Sequence, residues 1–267
     1  MSKAILITGA TDGIGLLTAQ KLAALGHSLL IHGRSETMLN AAAKTLRECG
    51  AVSISTYRAD FSDLAEVAAM VQQIKSQSVA PDVIINNAGV YKIAQPLNAS
   101  GQDVRFVVNT LAPYLLTTSL LPLMPPGGRV INLSSAAQAP VDLQALAGKK
   151  ILNDDFAAYA QSKLALTMWS RQLGLELKSK GPAVIAVNPG SLLASKMVKE
   201  GFGVAGNDLN IGADILLKAA LNPEFAQASG LYFDNDKGTF ADPHPDALDE
   251  VKGGKVMREL NRLINIE

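Results

Sequence analysis

The chain has little of what several large function classes require. A single cysteine, Cys49, rules out an internal disulfide and fits a reducing, cytoplasmic setting. Three scattered histidines offer no metal-ligand spacing, so no metal site is expected. Twenty-four basic residues balance 24 acidic ones without a basic run, so the electrostatic footprint of a nucleic-acid or anionic-membrane binder is missing. Long hydrophobic runs are missing too. The most apolar window, FVVNTLAPYLLTTSLLPLMPP, is interrupted by Asn109 and by Thr and Pro residues, which argues against a membrane span. The apolar start MSKAILITGA reaches glycine too soon for a signal peptide. A small molecule remains as the expected partner.

What is present is an apolar chain of 267 residues, 48% hydrophobic and 18% charged, enough for one large α/β domain over 1–267. Short Val/Ile/Leu runs predict strands near 4–8, 28–32, 52–57, 82–85, 129–133, 183–187 and 230–233. Helical patterns fill the gaps near 14–25, 36–48, 63–77, 102–123, 157–180 and 211–220. Such alternation predicts a Rossmann-type doubly wound parallel sheet of about seven strands, with helices on both faces. The polar, Gly- and Pro-punctuated stretch 234–254 reads as a surface loop before a short last helix.

The first strand runs into TGATDGIG, residues 8–15, and then into a helical pattern. Gly9, Gly13 and Gly15 permit a tight turn and close approach of backbone to a ligand, and the new helix aims free N–H groups at a phosphate. This is the expected pyrophosphate cradle, one residue longer than the G-x-G-x-x-G fingerprint. No G-K-[ST] follows, which excludes a nucleoside-triphosphate loop. At the end of the second strand, in IHGRSE, Gly33 stands where a ribose-binding acid is expected and Arg34 follows it. A planar, permanently charged guanidinium suits a 2′-phosphate, which favours NADP(H) over NAD(H); Glu36 is the alternative ribose contact. Asp60 closes the third strand at the level of an adenine amino group, and reads equally well as a turn or N-cap aspartate.

Further on, Tyr159 and Lys163 stand four apart in YAQSK, on one face of a predicted helix. The pair alone is weak, since a half-exposed Tyr beside a snorkelling Lys is the common case. The order TGATDGIG, Asp60, NNAG (86–89), Asn109, NLSS (132–135), YAQSK and NPG (188–190) is more specific. Over essentially the whole chain it resembles the short-chain dehydrogenase/reductase family. The insertion between Ser135 and Tyr159, together with the late SGLYFDNDK, resembles the retinol-dehydrogenase-like branch.

The resemblance implies hydride exchange between a nicotinamide cofactor and a carbonyl or alcohol. It makes Tyr159 the proton donor in reduction and the base in oxidation, and Ser135 the group orienting the substrate oxygen, with Ser134 as the neighbour to distinguish. Lys163 then holds the ribose, and Asn109 anchors a water that passes protons to Lys163. The cofactor residues it implies are Thr8, Gly9, Thr11, Asp12, Gly13, Ile14, Gly15, Arg34, Asp60, Phe61, Asn87, Ala88, Gly89, Tyr159, Lys163, Pro189, Gly190, Leu192 and Ser195. Ala194 stands where the family carries a Thr for the nicotinamide carboxamide; Ser195 one step on, or backbone groups, would serve instead. The Lys163 charge is expected to favour the phenolate and to lower a phenol pKa that is ~10 when free.

A nucleotide-binding sensor on the same fold is the rival from another class, but it would not need Asn109, Ser135, Tyr159 and Lys163 together. Segments 136–158 and 191–210 are expected to wall the substrate pocket; the second, with Leu, Met and Phe among glycines, reads as a mobile lid with an apolar inner face. The helices 102–123 and 157–180 look apolar on more than one face, which points to a homodimer or homotetramer.

Overall fold

The computed structural model describes residues 2–178, 180–194, 203 and 205–264. Among them, eight strands form one sheet: β1 (Ala4–Ile7), β2 (Ser28–Gly33), β3 (Ser53–Arg58), β4 (Val83–Asn86), β5 (Arg129–Leu133), β6 (Ala183–Asn188), β7 (Tyr232–Asp234) and β8 (Thr239–Ala241). Their order is β3-β2-β1-β4-β5-β6-β7-β8, all parallel except β8, which runs back against β7. The strand order reverses between β1 and β4, and a crevice opens there at the carboxyl ends of the strands.

Side chains alternate along each strand, so one sequence run feeds two cores. Leu6, Leu30, Ile84, Val130 and Val184 join the core that α3 (Leu64–Ser76), the short α6 (Leu143–Leu146) and α7 (Asp155–Leu177) cover. Ile5, Ile7, Leu29, Ile31, Ile85, Ile131 and Ile185 join the other, covered by α1 (Gly13–Ala24), α2 (Glu36–Glu48) and α8 (Leu209–Leu221). Burial on both faces explains why the strands read as near-continuous apolar runs. Asp12, Ser35, Asp63, Asp154 and Asp208 each cap a helix by accepting a backbone N–H, so most helix starts are written locally.

Three expectations change. The helix expected over 102–123 is continuous but not uniform: α4 (Val104–Phe106) passes through a π-helical turn, Val107–Leu111, into α5 (Ala112–Leu120). Asn109 sits in that turn. The stretch 234–254 is not a plain loop, because β8 pairs with β7 and α9 (Pro245–Leu248) follows, which also raises the strand number above seven. Nor is the last helix short. α10 runs Glu250–Ile264, buries Val256 and Leu260, and receives at Asn261 Oδ1 a hydrogen bond of 2.7 Å from the Tyr114 hydroxyl of α5. It lies over α5 and α7, so that face is covered by the chain's own C-terminal segment.

The 20 residues Val104–Leu123 are long and apolar enough to cross a membrane, yet 72% of their apolar window is buried inside the fold. The apolarity belongs to a core helix.

Candidate active site

A cleft of about 1020 Å³ runs across the carboxyl ends of the strands. Gly9, Thr11, Asp12, Gly13, Ile14 and Gly15 form its floor at one end. Gly13 has φ +55°, and a Cβ there would meet nothing within 4 Å, so the turn is open to the cleft. At Gly15 a Cβ would fall 2.3 Å from the Gly9 carbonyl oxygen, which lets helix α1 start hard against the turn. Thr8 does not line the cleft; its buried hydroxyl accepts from the N–H groups of Asn87 and Ala88, each at 3.0 Å. Asn87 Nδ2 returns the contact to the carbonyls of Thr8 and Gly9 at 2.8 and 3.0 Å. NNAG and the glycine turn are therefore one unit, with the first turn of α1 aimed along the cleft.

Arg34 and Asp60 line the next stretch of wall, whereas Glu36 lies in a separate groove with Thr56, Arg58 and Gln73. Asp60 is a turn residue as well. It faces the cleft, and its Oδ1 accepts from Ser62 N–H at 2.9 Å and Ser62 Oγ at 2.8 Å. Phe61 stacks on His32, with ring centroids 4.0 Å apart and planes 18° from parallel.

At the other end stand the catalytic candidates. Helix α7 starts behind Asp154, which accepts from Phe156 N–H at 2.8 Å, and is anchored by the buried Arg105, which grips Asp103 at 2.8 and 2.7 Å and bonds Asp155 as well. One turn on, Tyr159 is half-buried at the cleft, with the Ser135 hydroxyl near enough to pull its pKa down. Ser134, which borders the cleft, has its Oγ paired with Thr167 Oγ1 at 2.6 Å. Lys163 is buried and donates from Nζ to the Leu133 carbonyl at 2.7 Å.

Here the expected electrostatics is corrected. Burial pushes the Tyr159 phenol up, against a downward pull from its hydrogen bond with Ser135. Burial also pushes the Lys163 ammonium down, to about 8. A lysine that is itself desolvated, with its proton directed at a carbonyl, gives the phenolate less help than helix spacing alone suggested.

Asn109 lies buried in the π-helical turn. Its side chain is engaged by protein: Oδ1 accepts from Val90 N–H at 2.8 Å, and Nδ2 donates to Val90 O and Ser162 Oγ, both at 2.9 Å. It ties the segment after NNAG to the turn of α7 carrying Tyr159, whose carbonyl receives the Ser162 hydroxyl at 2.7 Å. A Cβ at Gly89 would sit 3.3 Å from Asn109 Oδ1 and 3.5 Å from Lys163 Nζ, so a glycine lets these groups converge.

Ala88 and Pro189 line the cleft as well, while Gly190 and Leu192 stand outside its wall. Ser195 lies outside the described residues, as do Lys196 and Lys199 of the expected lid. The lid's base is described: Ala194 N–H donates to Asn207 O at 2.8 Å, and Asn207 N–H to Leu192 O at 2.7 Å.

Sequence reading missed four side chains. His32 binds the glycine turn, with Gly9 N–H donating to Nδ1 at 3.2 Å. Tyr91 places its ring 5.1 Å from that of Tyr159. Gln138 and Tyr232 both donate to the Ser135 carbonyl, at 2.8 and 3.2 Å. Only His32 had a usable signal, its position two residues before Arg34; the others come to the site from loops and from β7.

A family model for short chain dehydrogenases matches residues 3–202. The chain is 30% identical over 284 residues to retinol dehydrogenase 13 of Homo sapiens, covering 99% of this chain and 85% of that protein. An uncharacterized protein from Mycobacterium paratuberculosis superposes with a TM-score of 0.81 at 26% identity, over 99% of this chain and 94% of that one. Landomycin C-6 ketoreductase LanV, solved with bound NADP and rabelomycin, gives a TM-score of 0.69 at 25% identity, over 87% of this chain and 94% of its own.

Proposed function

The chain belongs to the short-chain dehydrogenase family and is an NAD(P)-dependent oxidoreductase, and from that premise we propose that it uses NADP(H) and acts on an apolar carbonyl or alcohol. The observation that carries this reading is the meeting of Tyr159 and Lys163, with Ser135 beside the phenol, at one end of a cleft whose other end is a glycine turn at a helix N-terminus. The residues present fit a dinucleotide: Gly13 leaves its turn open, α1 offers free N–H groups, and Arg34 rather than Glu36 borders the cleft where a 2′-phosphate would lie.

A bound nicotinamide supplies or accepts the hydride. The protein's part is proton management and orientation. We assign the Ser135 hydroxyl and the Tyr159 phenol to one substrate oxygen, and the phenol gives up its proton as negative charge grows on that oxygen. Lys163 stands behind Tyr159, where its ammonium can hold a ribose hydroxyl and, by its charge, steady the phenolate left behind. In oxidation the same phenolate takes the proton back. Asn109 holds the frame in which these groups meet.

An apolar substrate is supported by the Tyr91 ring beside Tyr159. The name of retinol dehydrogenase 13 agrees with an apolar alcohol, and the NADP in LanV agrees with the cofactor. We place the enzyme in the cytoplasm on its single free cysteine, Cys49. The test is a cofactor-oxidation screen with NADPH and NADH against aldehydes and ketones of increasing hydrocarbon size. We expect kcat/KM to rise by about 1–3 kcal/mol of transition-state binding per well-placed apolar group, with NADPH preferred. A preference for sugars or charged acids would overturn the substrate reading.

A further inference from the structure

We propose that His32 is a positioning residue for the dinucleotide, a neutral imidazole that pins the glycine turn to the adenine side of the cleft. This rests on the cofactor reading above and gives a role to a side chain that reading does not use.

His32 is the penultimate residue of β2 and is buried between three strand ends. The Gly9 N–H donates to Nδ1 at 3.2 Å, Nε2 lies 3.0 Å from the Ala59 carbonyl oxygen, and the ring face lies on Phe61. Its main-chain carbonyl also accepts from Ala10 N–H at 2.9 Å. One residue thus holds the turn after β1 through ring and backbone, and holds the end of β3 through Ala59 and Phe61.

The partners decide the tautomer. A backbone N–H only donates, so Nδ1 presents its lone pair to Gly9; a carbonyl only accepts, so Nε2 carries the proton toward Ala59. An imidazolium would point an Nδ1 proton at the Gly9 amide proton. Burial works in the same direction and holds the imidazole down at about 4, with the Ala59 bond and Asp60 pulling it up and Arg34 pulling it down.

The consequence is a peptide fixed at both ends. Gly9, at φ +64°, has its N–H held by His32 and its carbonyl held by Asn87 Nδ2. The amides that follow at 11–15 are therefore aimed before a ligand arrives, which removes part of the ordering cost of binding.

Three substitutions separate the two ring contacts. His32→Asn places an amide oxygen where Nδ1 stood and keeps the Gly9 bond. His32→Gln places an amide nitrogen near the Nε2 position and keeps only the Ala59 bond, and His32→Phe keeps the stack alone. NADPH and NADH are titrated by nicotinamide fluorescence, kcat is measured at saturating NADPH, and nitrogen-15 NMR reads the ring. We expect the Asn variant to bind NADPH within about 3-fold of wild type, and the Gln and Phe variants to bind at least ~10-fold more weakly, with kcat within about 2-fold throughout. The wild-type ring should show a bare Nδ1 and a protonated Nε2, unchanged through neutral pH.

Gln and Phe variants that bind as tightly as wild type, equal losses in all three, or a ring that titrates near ~6.5 would each overturn the assignment. A wild-type chain that binds neither NADPH nor NADH would overturn the cofactor reading and this role with it. A chain that binds them and ignores the substitutions would overturn the His32 role alone.

Discussion

The Lys163 ammonium stands 5.7 Å from the centroid of the Tyr159 ring and spends its 2.7 Å hydrogen bond on the Leu133 carbonyl. The two residues therefore interact through space, and their substitutions should separate. Tyr159→Phe removes the proton donor and leaves the cleft's shape, so turnover should fall by at least ~100-fold with NADPH affinity nearly unchanged. Lys163→Ala should lower both. Steady-state kinetics alongside fluorescence titration distinguishes the two patterns, and a Phe variant with near-parental turnover would remove Tyr159 from its role.

Burial of Lys163 also makes a pH signature. Its folded-state pKa, about 8, lies below the ordinary lysine value of 10.5, so above pH 8 the unfolded chain binds more protons than the folded one. By linkage, this group makes the fold more stable as pH rises from about 8 towards 10.5, the penalty for the buried charge being fully present below that window. Urea unfolding of the wild type and of Lys163→Met should show a stability difference that shifts in favour of the wild type across this range. A difference independent of pH would mean that Lys163 titrates normally.

Arg34→Leu should weaken NADPH by about 10- to 100-fold, the scale of a charge-assisted hydrogen bond, and leave NADH nearly untouched. To add an acid at Gly33 requires room, because a Cβ there would lie 2.6 Å from Thr11 Cγ2; Gly33→Asp should therefore be paired with Thr11→Ala. Isothermal titration with both cofactors reads the switch. Equal NADPH affinity in parent and Arg34→Leu would make the arginine a solvated surface residue.

The Ser135 carbonyl accepts from both Gln138 and Tyr232, and Gln138 Oε1 in turn accepts from His244 N–H at 3.1 Å. Replacing Gln138 by Ala should loosen the Ser135 hydroxyl, lowering kcat/KM for the carbonyl substrate by ~10-fold, one neutral hydrogen bond's worth, without changing NADPH affinity. Equal losses in both quantities would point to general disorder at that end of the cleft.

Leu260 of α10 is fully buried against α5 and α7. Leu260→Ala should cost about 2–5 kcal/mol by leaving a cavity. Leu260→Asp should detach the helix and expose the apolar face on which two copies were expected to meet. Light scattering should then find association in the Asp variant and none through this face in the parent. A parent dimer whose interface maps to α5 and α7 would contradict the coverage by α10.

Much of this protein is local physics and was legible in the amino-acid order. Strand runs such as AILI and RVINL are apolar at every position because both faces of a parallel sheet are covered, and caps such as Asp12 and Asp154 sit at the helix starts where their side chains find free N–H groups. The glycine turn was legible for the same reason: Gly13 needs a positive φ that the sequence declares by itself. Other features belong to the folded chain alone. That the Ser134 hydroxyl is taken up by Thr167, on a helix more than 30 residues away, no local pattern reports. The direction of the Tyr159 pKa followed from burial, which no i to i+4 spacing reports. β8 escaped notice and the last helix was expected to be short because a three-residue strand and a polar amphipathic helix gain their stability from Phe233, Tyr114 and Trp169, residues the chain brings beside them only when the sheet has formed. The sequence by itself determined the sheet, the phosphate turn and the identity of the reactive side chains; which hydroxyl meets the phenol, what charge its neighbour carries and what holds the turn were decided by long-range packing, because hydrogen bonds and desolvation depend on distances that chain order does not contain.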